Sequence, residues 1–253
     1  MPRPALPAAA ALAALAVLAA PPARAGPWGG LFSGITWTSD YRYQGISSTD
    51  KRPALQGYLH WQRPDGVFAG VFASDVHYYD GGPKLEIDAY AGKHFELAGG
   101  RTEFTPEVLY STFPNNRTPG PTFDFLELKV EAKRRRGPLT LAADAAFTPQ
   151  ASFGAGEAWI VEGEADYALT PSLTLKALAG RRWAHLGADR DYVSLGGAWG
   201  LHPTAFGPRY VVELKYQSTS LSPARCGFNP RICGPALVGS LSVNLPPLML
   251  GGS

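Results

Sequence analysis

Cysteine is scarce in this 253-residue chain: it has only Cys226 and Cys233. They make a poor metal site, because no histidine lies close enough to complete a ligand set. In an exported chain, two cysteines separated only by GFNPRI are expected to form a local disulfide. Surplus charge is lacking too. Lys and Arg number 23 and Asp and Glu 21, and Arg3 and Arg24 fall within the first 25 residues, so the remainder is formally neutral. That balance offers no electrostatic footprint for nucleic acid. Only one long apolar run occurs, from about Ala8 to Ala20. No later segment has the length of a membrane-spanning helix, and none keeps a helical period. A chain of this kind that crosses a bilayer must do so with strands. The G-x-S-x-G elbow of a serine hydrolase is also missing.

The single apolar run fits an export signal. Arg3 supplies the positive start, the Ala- and Leu-rich stretch the middle, and Ala23-Arg24-Ala25 a small-x-small cleavage site. The expected organisation is a signal peptide over 1–25 and one barrel domain over 26–253.

Past residue 30 the hydropathic period is two. Ile35, Trp37, Tyr41 and Tyr43 alternate with Thr36, Thr38, Asp40 and Arg42, and Leu126, Leu128 and Val130 with Glu127, Lys129 and Glu131. This predicts strands with unlike faces. About twelve are expected: 33–44, 54–62, 66–78, 84–96, 100–111, 122–134, 138–148, 157–168, 172–183, 190–200, 207–218 and 235–245. Most run 9 to 13 residues, near the ~9–11 that a tilted strand needs to cross a bilayer and above the ~5–6 usual in soluble sheets. Connections after even strands look tight (RPDG, LAGG, RRRGP, LTPS, LHPTAFGP). Those after odd strands are mostly longer, apart from a short DGGP. Such asymmetry suits an all-β, up-and-down antiparallel transmembrane barrel with external loops at one end. Tyr41 and Tyr43 are then expected to face lipid near its interface.

SDYRYQGISSTDKRPALQG, followed by GVFAGVFASDV and EIDAYAGKHFEL, resembles the TorF family of exported bacterial porins. The likeness rests on Ser39, Asp40, Tyr41, Arg42, Gly45, Ile46, Ser47, Asp50, Pro53, Gln56 and Gly57, then on Glu86, Ile87, Asp88, Tyr90 and Gly92. It covers roughly residues 33–97. The resemblance implies an outer-membrane barrel and passive diffusion of small hydrophilic solutes. It brings no catalytic residues. In one respect the chain departs from many such barrels: it ends SVNLPPLMLGGS rather than on an aromatic residue.

Parity places a set of ionisable residues inside the cylinder. They are Asp40 and Arg42 on the first strand, His60 on the second, Asp75 and His77 on the third, Glu86 and Asp88 on the fourth, and Glu103 on the fifth. Glu127, Lys129, Glu131 and Lys133 follow on the sixth, Glu162, Glu164 and Asp166 on the eighth, Lys176 and Arg182 on the ninth, and Arg209, Glu213 and Lys215 on the eleventh. Unpaired charge costs several kcal/mol per ion in a dry interior, so either water fills the lumen or acids and bases pair across it. Excess acid on the fourth and eighth strands would bias a pore toward cations. Asp75 beside His77 is better read as hydrogen bonding than as general-base chemistry, since Ser74 points the other way. The expected partners are outer-membrane lipids and small solutes or ions. No cofactor or metal is implied. The rival readings are a plugged barrel that modifies lipid and one with a structural or adhesive role.

Overall fold

The computed structural model describes residues 28–97, 99–114, 116, 123–201, 207–226 and 229–250. The expected signal peptide and most of the LHPTAFGP turn lie outside the described residues. Twelve long strands form the wall: β1 (Gly30–Thr38), β2 (Ala54–Gln62), β3 (Val67–Asp75), β4 (Leu85–Lys93), β5 (Thr102–Thr112), β6 (Phe125–Arg136), β7 (Leu139–Ala151), β8 (Gly156–Ala168), β9 (Leu173–Ala184), β10 (Arg190–Leu201), β11 (Arg209–Thr219) and β12 (Ala236–Asn244). Each pairs antiparallel with the next. The ring closes where β1 meets β12, with Gly34 opposite Asn244 and Thr38 opposite Ser240. Closure leaves no free edge in the wall.

The burial pattern is inverted relative to a water-soluble sheet. Trp37, Leu59, Val71, Leu128, Val161, Leu195 and Leu214 are exposed on the outside, while Glu86, Asp88, Glu127 and Arg182 are buried inside. Strand alternation puts every second residue on each face, so the dyad pattern becomes an apolar coat and a polar interior. Inside, aromatic rings lie over glycines of the neighbouring strand. Tyr58 is opposite Gly34, Tyr90 opposite Gly70, and Tyr192 opposite Gly180. A methyl on Gly180 or Gly70 would sit 2.4 Å from its ring, so only glycine leaves space for the aromatic.

The seam extends past β12. Pro246 and Pro247 lack the N–H a ladder needs, yet Leu248 and Met249 resume pairing opposite Leu31 and Gly30. Leu245 N–H donates to Ser33 O at 2.9 Å and Leu250 N–H to Gly29 O at 2.8 Å. The tail thus lengthens the closure instead of ending it.

The six connections that follow the odd-numbered strands lie at one end, the loop end. DGGP belongs to the segment 76–84 and is no exception to that set. Two apolar clusters pack there. One joins Val76, Tyr78, Phe113 and Phe123, with Tyr41 against it; the other joins Leu221, Cys226, Ile232 and Cys233, with Ile46 against it. Cys226 and Cys233 are disulfide-bonded.

Candidate functional site

β1 stops at Thr38, five or six residues before its alternation does. Ser39 makes the last rung, its N–H donating to Gly239 O at 2.9 Å. The chain then leaves the wall and turns into the lumen. Arg42 and Tyr43 pair with Ser47 and Ile46. Between them Gln44 and Gly45 have φ of 51° and 77°, as a two-residue type I′ turn requires. Tyr41 and Tyr43 therefore do not face lipid: alternation continued in the sequence after the strand had ended.

Asp40 organises this hairpin. Its carboxylate accepts from Arg42 Nη1 at 2.9 Å, Ser47 Oγ at 2.5 Å and Thr49 Oγ1 at 3.0 Å. Arg42 Nη2 donates to the carbonyls of Gly45 and Gly234, both at 2.6 Å. The Arg42 side chain is fully enclosed and that of Asp40 only 6% exposed. An ion pair so buried persists because most of its other donors and acceptors are also satisfied; of the guanidinium nitrogens only Nε has no hydrogen-bond partner among the described residues.

The hairpin touches opposite walls. The Tyr41 ring lies 6.1 Å from that of Phe72 on β3. Its phenol is pushed up by burial and then by the Glu86 carboxylate of β4. Tyr43 Oη donates to Glu127 Oε2 of β6 at 3.1 Å, and burial, then that carboxylate, keep it protonated. Gln44 Oε1 accepts from Arg190 Nη2 of β10 at 2.5 Å. β4 and β10 stand on opposite sides of the twelve-strand ring. The segment therefore crosses the mouth.

Other connections hold it from above. His77 N–H donates to Ser48 O at 2.7 Å. Asn229 Nδ2 and Arg231 Nη2 donate to the Asp50 carboxylate at 2.9 and 2.8 Å. The disulfide ties together the same 220–235 loop that supplies Gly234 O to Arg42.

Below the hairpin a cavity of about 150 Å³ is bordered by Arg42, Gln44, Glu162, Tyr192, Glu213 and Lys215. Charge continues toward the turn end. Lys176 Nζ lies 3.5 Å from Glu164, 3.8 Å from Asp166 and 3.8 Å from Glu213, and Lys215 pairs with Glu213 at 2.8 Å. Glu131 pairs with Lys133 at 2.8 Å, and Lys129 is half-buried beside it. Arg209 is exposed at the turn-end rim, opposite Asn244. Asp40 and Arg42 sit in the hairpin rather than on a strand.

Asp75 is a correction. It shares the outward face of β3 with Val71 and is exposed, its Oδ2 accepting from Leu55 N–H at 3.1 Å. Ser74 is the inward residue, fully buried and bonded to Gln56. His77 lies beyond the strand, where its ring meets Lys84 and stands 3.4 Å from Asp80. Burial, then the Lys84 and Arg52 cations, lower its pKa. Asp144, Glu107 and Arg190 also point inward, although the alternation alone did not single them out. Asp144 sits in the mostly apolar run LTLAADAAF, and Arg190 reads as the end of a loop.

A closed, apolar-coated antiparallel cylinder with a charged interior and one obstructed mouth has the architecture of transmembrane β-barrels. Residues 24–222 match the model of the family described as "Bacterial protein of unknown function (Gcw_chp)", and the chain belongs to that family. The TorF name is not the one this match carries. No curated protein matches the chain. Among solved structures it resembles the KdgM porin in complex with disordered oligogalacturonate (TM-score 0.55, 7% identity, covering 85% of this chain and 98% of that one). It also resembles the NanC porin (0.53, 11%, 86% and 99%). A third likeness is the COG4313 outer membrane channel from Pseudomonas putida F1 (0.50, 10%, 88% and 97%). At these identities the likeness is one of fold.

Proposed function

We propose that this protein is a passive diffusion channel of the bacterial outer membrane, its loop end facing outward and its mouth narrowed by the hairpin at 39–53. One observation carries the reading: the density of ionisable side chains inside the turn-end half. Lys129, Glu131, Asp144, Glu164, Asp166, Lys176, Glu213 and Lys215 line one interior. So many ions are too costly in a dry core, and water offsets that cost. Small hydrophilic solutes and ions pass along this wall; acyl chains meet the apolar coat. The acids of β4 and β8 would favour cations in bulk ion flow. Conductance of the purified protein in a planar bilayer tests this reading. Steady current steps support it, and a folded barrel that never conducts defeats it.

The crossing hairpin favours a second reading, a barrel held shut. Deleting residues 41–48 separates the two. Current that appears only after deletion identifies a plug, and current before and after identifies a constriction. A lipid-modifying role finds little support in Ser74, which is buried on the inner face and points away from the outer surface.

A further inference from the structure

Arg182 and Arg190 are directly opposite each other on β9 and β10. Both point inward just below the mouth, and both are 9% exposed. Among the described residues neither has a carboxylate within 4.0 Å. Arg190 gives one bond, from Nη2 to the neutral amide oxygen of Gln44, and its buried Nε has no partner. Arg182 has no hydrogen-bond partner among the described residues. The acids nearby are otherwise engaged. Glu127 accepts from Tyr43 and Thr148, and Glu162 from Tyr192 Oη at 2.5 Å. Asp189, in the connection above, takes the Ala184 N–H at 3.0 Å.

Like charges directly opposite on neighbouring strands oppose each other, and a buried cation without an anion is unfavourable. Among the described residues the other buried cation of the mouth, Arg42, is answered by Asp40. A carboxylate at the pair would relieve both costs. The guanidinium fork matches carboxylate geometry with two parallel bonds, and a charged acceptor is stronger than the amide now in place. Gln44 borders the cavity beneath the hairpin, so displacing it joins that cavity to the arginines.

We propose that Arg182 and Arg190 form an anion-recognition site that takes the carboxylate of a small solute in the place held by Gln44. The entering acid competes with the hairpin for Arg190 and so loosens the obstruction. The channel reading explains how such a solute arrives, but the site itself is tested by binding.

The experiment is calorimetric titration of the full mature chain in detergent with glucuronate, using glucose as the uncharged counterpart. Heat-modifiable gel migration reports that each variant is folded. Glucuronate is expected to bind and glucose not. Gln44→Glu places a competing carboxylate on the hairpin with almost no change of shape, and should weaken glucuronate at least tenfold. Arg182→Gln should do the same. Arg181→Gln, one residue along and on the outer face beside Asp191, should leave binding unchanged. The site is overturned if glucuronate fails to bind, if glucose binds equally, or if folded Gln44→Glu binds as wild type does. Binding without any conductance would keep the site and reject the channel; conductance without binding would do the reverse.

Discussion

Removing Asp40 should free the hairpin. Asp40→Ala takes three acceptor contacts from Arg42, Ser47 and Thr49 and leaves a fully enclosed guanidinium with only the Gly45 and Gly234 carbonyls. Breaking one partner of a buried pair costs about 3–5 kcal/mol. The wall does not depend on this contact, since β1 is already paired on both sides up to Thr38. The loss therefore falls on the seated hairpin. At about 1.4 kcal/mol per factor of ten, 3 kcal/mol shifts its seated-to-released ratio by roughly a hundredfold. Single-channel recording reads that shift as larger or more frequent open levels, with melting of the wall little changed. The companion variant Asp40→Ala/Arg42→Ala removes the stranded cation and should restore part of the loss, so the two changes are not additive. Unaltered current and unaltered opening in a folded Asp40→Ala protein would refute the assignment of the hairpin as the obstruction.

Reduction of Cys226–Cys233, or Cys226→Ser, should loosen the 220–235 loop by about 2 kcal/mol, since the closed loop is short. Because that loop holds Arg42 and Asp50, the expected readout is more frequent opening, and no effect of reductant would count against the coupling. Gly180→Ala drives a methyl into the Tyr192 ring and displaces it from Glu162; a loss of about 1–3 kcal/mol is expected in denaturant unfolding from vesicles. Leu214→Arg puts a cation at the middle of the outer face and should cost about 2–4 kcal/mol in the same assay. Wild-type stability there would mean that this face does not meet lipid.

The wall was legible because its signal repeats. Residues such as Leu126, Leu128 and Val130 against Glu127, Lys129 and Glu131 admit one phase only, and the connection lengths fixed which ends lie together. β3 was harder. In GVFAGVFASDV both faces are apolar, because Phe68 points inward to stack with His60 and His94 and Phe72 points inward to meet Tyr41 edge-on. With phase hidden, parity alone puts Asp75 inside, whereas it lies on the outer face. The hairpin was hidden for another reason. Tyr41, Arg42 and Tyr43 keep the rhythm of a strand that has already ended at Thr38, and what diverts them is tertiary: Asp40 gathering Ser47 and Thr49. The turn at Gln44-Gly45 was the local clue, weaker than Asn-Gly at the same place. The Arg182–Arg190 pair depended on register between strands, which a single sequence does not display.

The bond from Arg42 to Gly234 spans 192 positions of chain, and the one from Gln44 to Arg190 spans 146. The stopper is made near the beginning of the polypeptide, but its catch is made near the end. The entrance can therefore be latched only once both stretches of the chain are in place. A molecule that loses its final hairpin loses the latch along with the seam.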